Sequence, residues 1–512
     1  MAYNRGKCAT SSQFCPLRQR GFRNYLLTLQ TFDVQKLDAW CLLAYSLLHI
    51  ANAVACLSAE QSLRPGRSHC EVRMAPAQAT TNAPAALETS TIRKIQLRIL
   101  PFVFILYVVS FLDRINIGFA ALTMNRDLGI SAQQFGLLAG IFFIGYFLFE
   151  IPSNLLLHKF GARIWLTRII VTWGVLAALT GFVQNITQLY VLRFLLGLAE
   201  AGYFPGIVLY LTYWFRQREQ AQAIALFLTG LPFTSILGAP LSGFILDHIH
   251  WFGIPSWRWL LTLEAIPAIL CGVLTYLLLP TRPHDAKFLT AAEKTWLSDE
   301  LAREDREKQT AHQISAVQAL TNGRVWHIAC IGITLNNAMY TLSFWLPQVI
   351  KAVSTGQTNT TIGLLTTLPY LIGLIAMVLV SRSSDRAQER KFHAAIPALI
   401  AATALVAVNA THSPLPTMAL LCVAALGIYS IYGPLYALPS EFLSGFAAAS
   451  GIALISSVAN LGGFIGPYLV GMVGQRTGSL HAGLALTGVS VFASVALMLL
   501  LPRRPRSHAQ PS

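Results

Sequence analysis

Between Leu106 and Ala121 the chain reads L-Y-V-V-S-F-L-D-R-I-N-I-G-F-A-A, which places Asp113, Arg114 and Asn116 inside a long apolar run. Such a run can cross a bilayer, where a charged side chain costs roughly 2.5–3.5 kcal/mol near the helix centre. A partner, a water-filled cavity or a ligand must offset that cost. An Asp–Arg pair that knits two helices, or a helix end in headgroup water, would also do so. A second charged stretch, R-F-L-L-G-L-A-E-A-G-Y-F-P at 193–205, favours a functional site. Arg193, Gly197 and Glu200 fall at i, i+4 and i+7 and share one helix face. Asp113, Glu200, Arg114 and Arg193 sum to zero formal charge, which points to mutual pairing around a polar cavity.

The elements that must position these groups are membrane helices. The chain of 512 residues is 54% hydrophobic and 12% charged, with mean hydropathy +0.55, against about 25% charged in a soluble domain. Its net charge of +15 lies between apolar runs in a positive-inside pattern, so nucleic acid is excluded as a partner. Five of eight cysteines lie in the first 70 residues, without metal-ligand spacing. Neither a disulfide framework nor a metal site is indicated, and no cofactor is expected.

Residues 1–90 read as an N-terminal extension, disordered or preceding the true start. Ala39–Leu57 is a moderately apolar stretch, an extra span or a poor signal anchor, and translation from Met74 is the favoured alternative. Twelve spans follow, at 97–123, 134–157, 165–184, 189–214, 219–246 and 258–280, then 326–350, 360–381, 393–411, 415–440, 449–474 and 480–501. They form a bundle over 91–281 and a second over 326–502, joined by a central loop (282–325) and followed by a basic tail (503–512). In that loop F-L-T-A-A-E-K-T-W-L-S-D-E-L reads as an amphipathic helix with a Thr290/Glu293 capping box.

Lys159, Arg163, Arg168, Arg216, Arg218, Arg382, Arg386, Arg390 and Lys391 gather in alternate loops, which places both termini and the central loop in the cytoplasm. The sequons at Asn185, Asn359 and Asn409 would lie outside. H-K-F-G-A-R at 158–163 aligns with D-R-A-Q-E-R at 385–390, and Pro240 with Pro467, both 227 residues apart. Two parallel six-helix halves with a site between them is a transporter architecture.

On these residues the chain resembles the major facilitator superfamily, and within it the anion:cation symporter family, over about 90–502. The resemblance rests on D-R-I-N-I-G-F-A, N-L-L-L-H-K-F-G-A-R, R-F-L-L-G-L-A-E-A-G-Y-F-P, F-W-L-P-Q-V-I-K and P-H-D-A-K-F-L-T-A-A-E-K-T-W-L. The chain departs from the family in His158, where an acid is usual, in Tyr436, where Trp is frequent, and in Phe111, where Tyr is frequent. The resemblance implies a fold of twelve transmembrane helices in two pseudo-symmetric bundles, in a multi-pass protein of the bacterial inner membrane. It implies proton-coupled uptake of a small organic anion such as tartrate, a sugar acid or an aromatic acid, by a monomer. Arg114 would grip the carboxylate through its bidentate fork. Asp113 and Glu200 would bind the proton, with Arg193 the partner that holds Glu200 charged. By family position Tyr146, Tyr436 and Asn460 would bond the substrate, although residue types alone favour helix packing for them. His158, Lys159, Gly161, Arg163, Asp385, Arg386 and Arg390 would form the gating loops.

Trp345-Leu346-Pro347 reads as a broken helix end, Gly238-Ala239-Pro240 as a helix bend, and His248, His250 and Trp251 as an interface belt. No nucleophile, metal or cofactor constellation supports an enzyme, and a channel would not need paired halves. The alternative is a drug or metabolite exporter of the same superfamily.

Overall fold

The computed structural model describes residues 82–311, 321–438 and 445–501, all helix and short connections. The first half comprises α1 (Asn82–Asp127), α2 (Ala132–Phe160), α3 (Ala162–Leu179), α4 (Ile186–Glu200), α5 (Tyr203–Thr212), α6 (Gln217–Leu228), α7 (Gly230–His248) and α8 (Ser256–Leu278). Helix α9 (Ala291–Ala311) follows in the central loop. The second half comprises α10 (Gly323–Val353), α11 (Asn359–Ala387), α12 (Lys391–Ala407), α13 (Pro414–Ser430), α14 (Tyr432–Ala437), α15 (Gly445–Asn460), α16 (Gly462–Thr477) and α17 (Leu480–Leu500).

In lipid every backbone polar group must be satisfied within the chain, so helices and tight caps are what these apolar sequences can form. Ser131 and Gln134 make a reciprocal capping box on α2, and Asn185, Asn322 and Thr358 cap α4, α10 and α11. Helix α2 shows the division of faces: Leu138, Phe142 and Tyr146 are buried, whereas Leu148, Ile151 and Leu155 are exposed as a lipid-facing stripe.

Among the described residues eleven helical segments are long and apolar enough to cross a membrane. They match eleven of the twelve expected spans. The other is α10, a 31-residue helix buried over most of its length. Asn336, Asn337, Thr341 and Ser343 lower its hydropathy and face protein, not lipid. Helix α10 also runs unbroken through Pro347. Trp345-Leu346-Pro347 therefore marks no helix end: a membrane helix tolerates proline where neighbouring helices pack around it, and the buried Trp345 indole donates to the Pro467 carbonyl at 3.2 Å. The N-terminal boundary is corrected too: residues 82–90 are helical, part of α1. Residues 1–81, Ala39–Leu57 and Met74 included, and the tail from 502 lie outside the described residues.

The repeat reappears in packing. In each half the fourth and fifth spans are interrupted, at Gly202 (φ +82°) and Thr229, then at Ile431 and Leu461. Helix α2 packs on α16 and α11 on α7 across the two halves. At the first contact a methyl added to Gly136 would stand 2.5 Å from the Pro467 carbonyl; at the second, one added to Gly363 would meet Ala239 and stand 3.1 Å from Pro240. Both pairs keep the offset of 227.

The expected capping box of α9 is present: Thr290 N–H donates to Glu293 at 2.9 Å and Glu293 N–H to the Thr290 hydroxyl at 3.4 Å. Glu293 also receives Lys94 of α1 at 2.8 Å, which docks the central loop on the first helix. Burial pushes its carboxyl up, but hydrogen bonds from Lys94, Thr290 and Ser90 outweigh it and hold the group at about 2.

Candidate functional site at the interface of the two halves

Asp113 and Arg114 are successive on α1 and so point about 100° apart. Arg114 faces the other half, and its guanidinium ion-pairs with Glu200 of α4 and donates to the Tyr340 hydroxyl of α10 at 2.9 Å. Rings of Phe111, Phe142 and Tyr146 surround it, centred 5.7, 5.1 and 5.4 Å from the guanidinium carbon. The Arg114 side chain is 11% exposed, Glu200 2%. Glu200 takes a further bond from Ser110, one turn before Arg114, at 2.9 Å. Arg114 therefore joins the two halves through Glu200 and Tyr340.

Asp113 turns the other way, into the first bundle. It accepts the Trp173 indole of α3 at 2.8 Å, and its second oxygen has no hydrogen-bond partner. Arg193 is buried with one guanidinium nitrogen 3.5 Å from the Arg114 carbonyl and its charge over the Phe142 ring. Arg193 is thus not the ion-pair partner of Glu200. Seven residues of helix separate them by about 10 Å, and Arg114 reaches the carboxylate from the neighbouring helix.

The expected substrate contacts divide between the halves. Tyr146 lies against Arg114 on α2, whereas Tyr436 stacks on Tyr432 at 6.2 Å and Asn460 ends α15, both in the second half. Arg114 and Tyr340 join the two groups. Of the loop residues, Gly161 (φ +81°) breaks α2 from α3, and Arg163 donates to the Tyr276 carbonyl at 2.5 Å. Lys159 sits over Phe160, Asp385 pairs with Arg390 at 2.5 Å, and Arg386 is exposed. Each loop is thus braced within its own half. The His158 side chain lies outside the described residues.

Sequence reasoning passed over two buried acids. Glu150 of α2 accepts the Ser457 hydroxyl of α15 across the halves at 2.5 Å, and Glu264 of α8 accepts Ser242 at 2.8 Å beside Asn116. Both stand alone in apolar runs, F-L-F-E-I-P and L-T-L-E-A-I-P, the signal that identified Asp113. Tyr340 and Trp173 carried no such signal. No cluster of three His, Cys, Asp or Glu side chains that could hold a metal occurs among the described residues.

A cation held between two helical halves, with broken helices beside it, is a transport geometry. Residues 103–445 and 352–512 match the Major Facilitator Superfamily. The chain is 44% identical over 417 residues to "Putative tartrate transporter" of Agrobacterium vitis, covering 81% of this chain and 92% of that one. It is 37% identical to "Quinolone resistance transporter" of Acinetobacter baumannii, covering 83% and 98%. Its fold is shared with a D-xylose-proton symporter (TM-score 0.63, 15% identity, 79% and 98% covered). The chain belongs to the major facilitator superfamily and is a multi-pass membrane transporter, not an enzyme.

Proposed function

We propose that this transporter is an anion:cation symporter that takes up a small organic carboxylate with protons. The observation that carries the reading is the Arg114 guanidinium, shared between Glu200 of one half and Tyr340 of the other. A substrate carboxylate needs a cation with fork geometry, and Arg114 offers one in a nearly dry, aromatic-walled site. Its arrival competes directly with Glu200. Once displaced from its counter-charge, Glu200 takes up a proton, so anion and proton each favour the other's binding by the same free energy. Asp113 serves as a second proton site from inside the first bundle. The relative named "Putative tartrate transporter" in A. vitis supports a hydroxylated diacid as substrate. The basic loops support a bacterial inner-membrane orientation with that end cytoplasmic.

The test is uptake of labelled L-tartrate into proteoliposomes under an imposed pH gradient, acid outside. Accumulation above equilibrium that a protonophore abolishes is expected. Equal uptake with and without the gradient would sink the symport reading. A second reading, export of an aromatic drug, is favoured by the quinolone-resistance relative and by the aromatic walls around Arg114. It predicts that expression in a strain lacking efflux pumps raises quinolone tolerance.

A further inference from the structure

A further buried acid, Glu150, lies at the interface of the two halves. Glu150 lies on α2 one turn beyond Tyr146, toward the end that carries the basic loops, and is 3% exposed. Its hydrogen-bond partner among the described residues is the Ser457 hydroxyl of α15, in the opposite half, at 2.5 Å. Glu200 has an arginine and a serine, whereas no ion pair reaches Glu150 among the described residues. The titratable groups around it are Tyr146 of its own helix, Arg114 of α1, Tyr340 of α10 and Tyr436 of α14, and Glu200 of α4 also acts on Tyr146 and Tyr340. Arg114 is the single cation in this set, and it is already committed to Glu200.

We infer that Glu150 is a further coupling carboxylate, protonated while α2 and α15 are joined and ionised when the halves part at its level. A carboxylate in a dry site with one neutral donor is costly to ionise, whereas the acid form both donates and accepts with a serine hydroxyl. Alternating access must separate the two halves here, admit water, and so remove that cost. Opening and deprotonation are therefore linked: each favours the other by the same free energy. A proton carried in on Glu150 is delivered to the side bearing the basic loops, the side that opens. The inference deepens the symport reading and rests on it for direction, but its conformational part stands without any substrate.

The sign follows from the linkage. Raising pH favours the ionised acid and hence the open interface; lowering pH favours the joined one. Glu150→Gln keeps the shape and the bond to Ser457 but cannot ionise, so it should stay joined at every pH. Ser457→Ala removes the donor and should move the pH of the transition without abolishing it.

The test places nitroxides at Phe160→Cys and Ala387→Cys, exposed ends of α2 and α11 in the two halves, with the native cysteines replaced by serine. Distance distributions are measured by pulsed electron resonance from pH 5 to pH 8. The parent should lengthen as pH rises, Ser457→Ala should lengthen at a displaced pH, and Glu150→Gln should remain short throughout. A parent that does not respond, or a Glu150→Gln protein that responds as the parent does, overturns the inference. In proteoliposomes Glu150→Gln should lose pH-driven tartrate accumulation and tartrate counterflow alike, each by about tenfold, within the usual range of coupling, because exchange needs the same opening at this side. Undiminished accumulation by Glu150→Gln would also overturn it. Failure of the parent to carry tartrate while the pH-dependent distances hold would count against the proposed substrate and leave Glu150's linkage standing.

Discussion

At the scale of single residues, fork geometry and not charge sets the role of Arg114. One nitrogen serves Glu200 and another serves Tyr340, while the plane lies among three rings. Lysine keeps the charge as a point and cannot span both partners. Arg114→Lys should therefore fold and yet lose tartrate counterflow by at least about tenfold, the effect of roughly 1.4 kcal/mol of lost charged hydrogen bonding. Near-parental counterflow by a well-expressed variant would remove Arg114 from the substrate site. Asp113 depends on a neutral donor: Trp173→Phe strips its indole bond and leaves a buried carboxylate with one bond fewer. We expect a loss of about 1–3 kcal/mol, read as a lower thermal unfolding midpoint in detergent. An unchanged midpoint would mean that the indole bond contributes nothing net.

At the scale of elements, close helix approach depends on glycine at repeat-related positions. Small residues let membrane helices approach until backbones touch, and Gly136 on Pro467 and Gly363 on Pro240 do so. Gly136→Val and Gly363→Val should each overpack a contact by about 1–3 kcal/mol. Because the sites are repeat partners, their effects on the unfolding midpoint should be similar. A large effect at one and none at the other would show that the two contacts are not energetically equivalent. The docking of α9 follows different rules. Its Glu293 is held at about 2, so its stabilising contribution is complete above the ordinary carboxylate value of 4.5 and fades only as pH falls through about 2. Hydrogen exchange of residues 291–300, corrected for intrinsic rate, should thus be alike at pH 5 and pH 8. Faster exchange at pH 5 would contradict the assignment.

At the scale of the whole molecule, the two halves are latched at the end away from the basic loops. Asp247, at the end of α7, accepts from Asn359 N–H at 3.1 Å, Asn359 Nδ2 at 2.8 Å, Thr360 N–H at 2.6 Å and the Thr360 hydroxyl at 2.7 Å. One half thereby caps a helix N-terminus of the other, where a negative charge is worth about 0.3–1 kcal/mol. Asp247→Asn should raise the population open at this end about two- to fivefold by that free energy. Nitroxides at Arg126→Cys and Gln357→Cys should report longer distances than in the parent. Unchanged distributions would show that the backbone contacts at Gly136 and Gly363 hold this end closed by themselves.

Apolar length and loop charge determined the class, the spans and their pairing into halves, because lipid admits few alternatives to helices of about 20 residues. The 227-residue repeat was legible for the same reason: symmetric contacts need the same small residues in both copies. The site was legible in kind, as charged residues in lipid, but not in wiring. Sharing a helix face could not tell that Glu200 would meet Arg114 of another helix and not Arg193 of its own. Nor could adjacency reveal that Asp113 and Arg114 diverge, one into the bundle and one between the halves. Helix α10 was predicted as a span although its polar residues depress its hydropathy, and only burial on all sides accounts for them. Glu150–Ser457, Arg114–Tyr340 and Asp247–Thr360 join residues 113 to 307 positions apart. No local period encodes such pairs; the meeting of the two halves decides them.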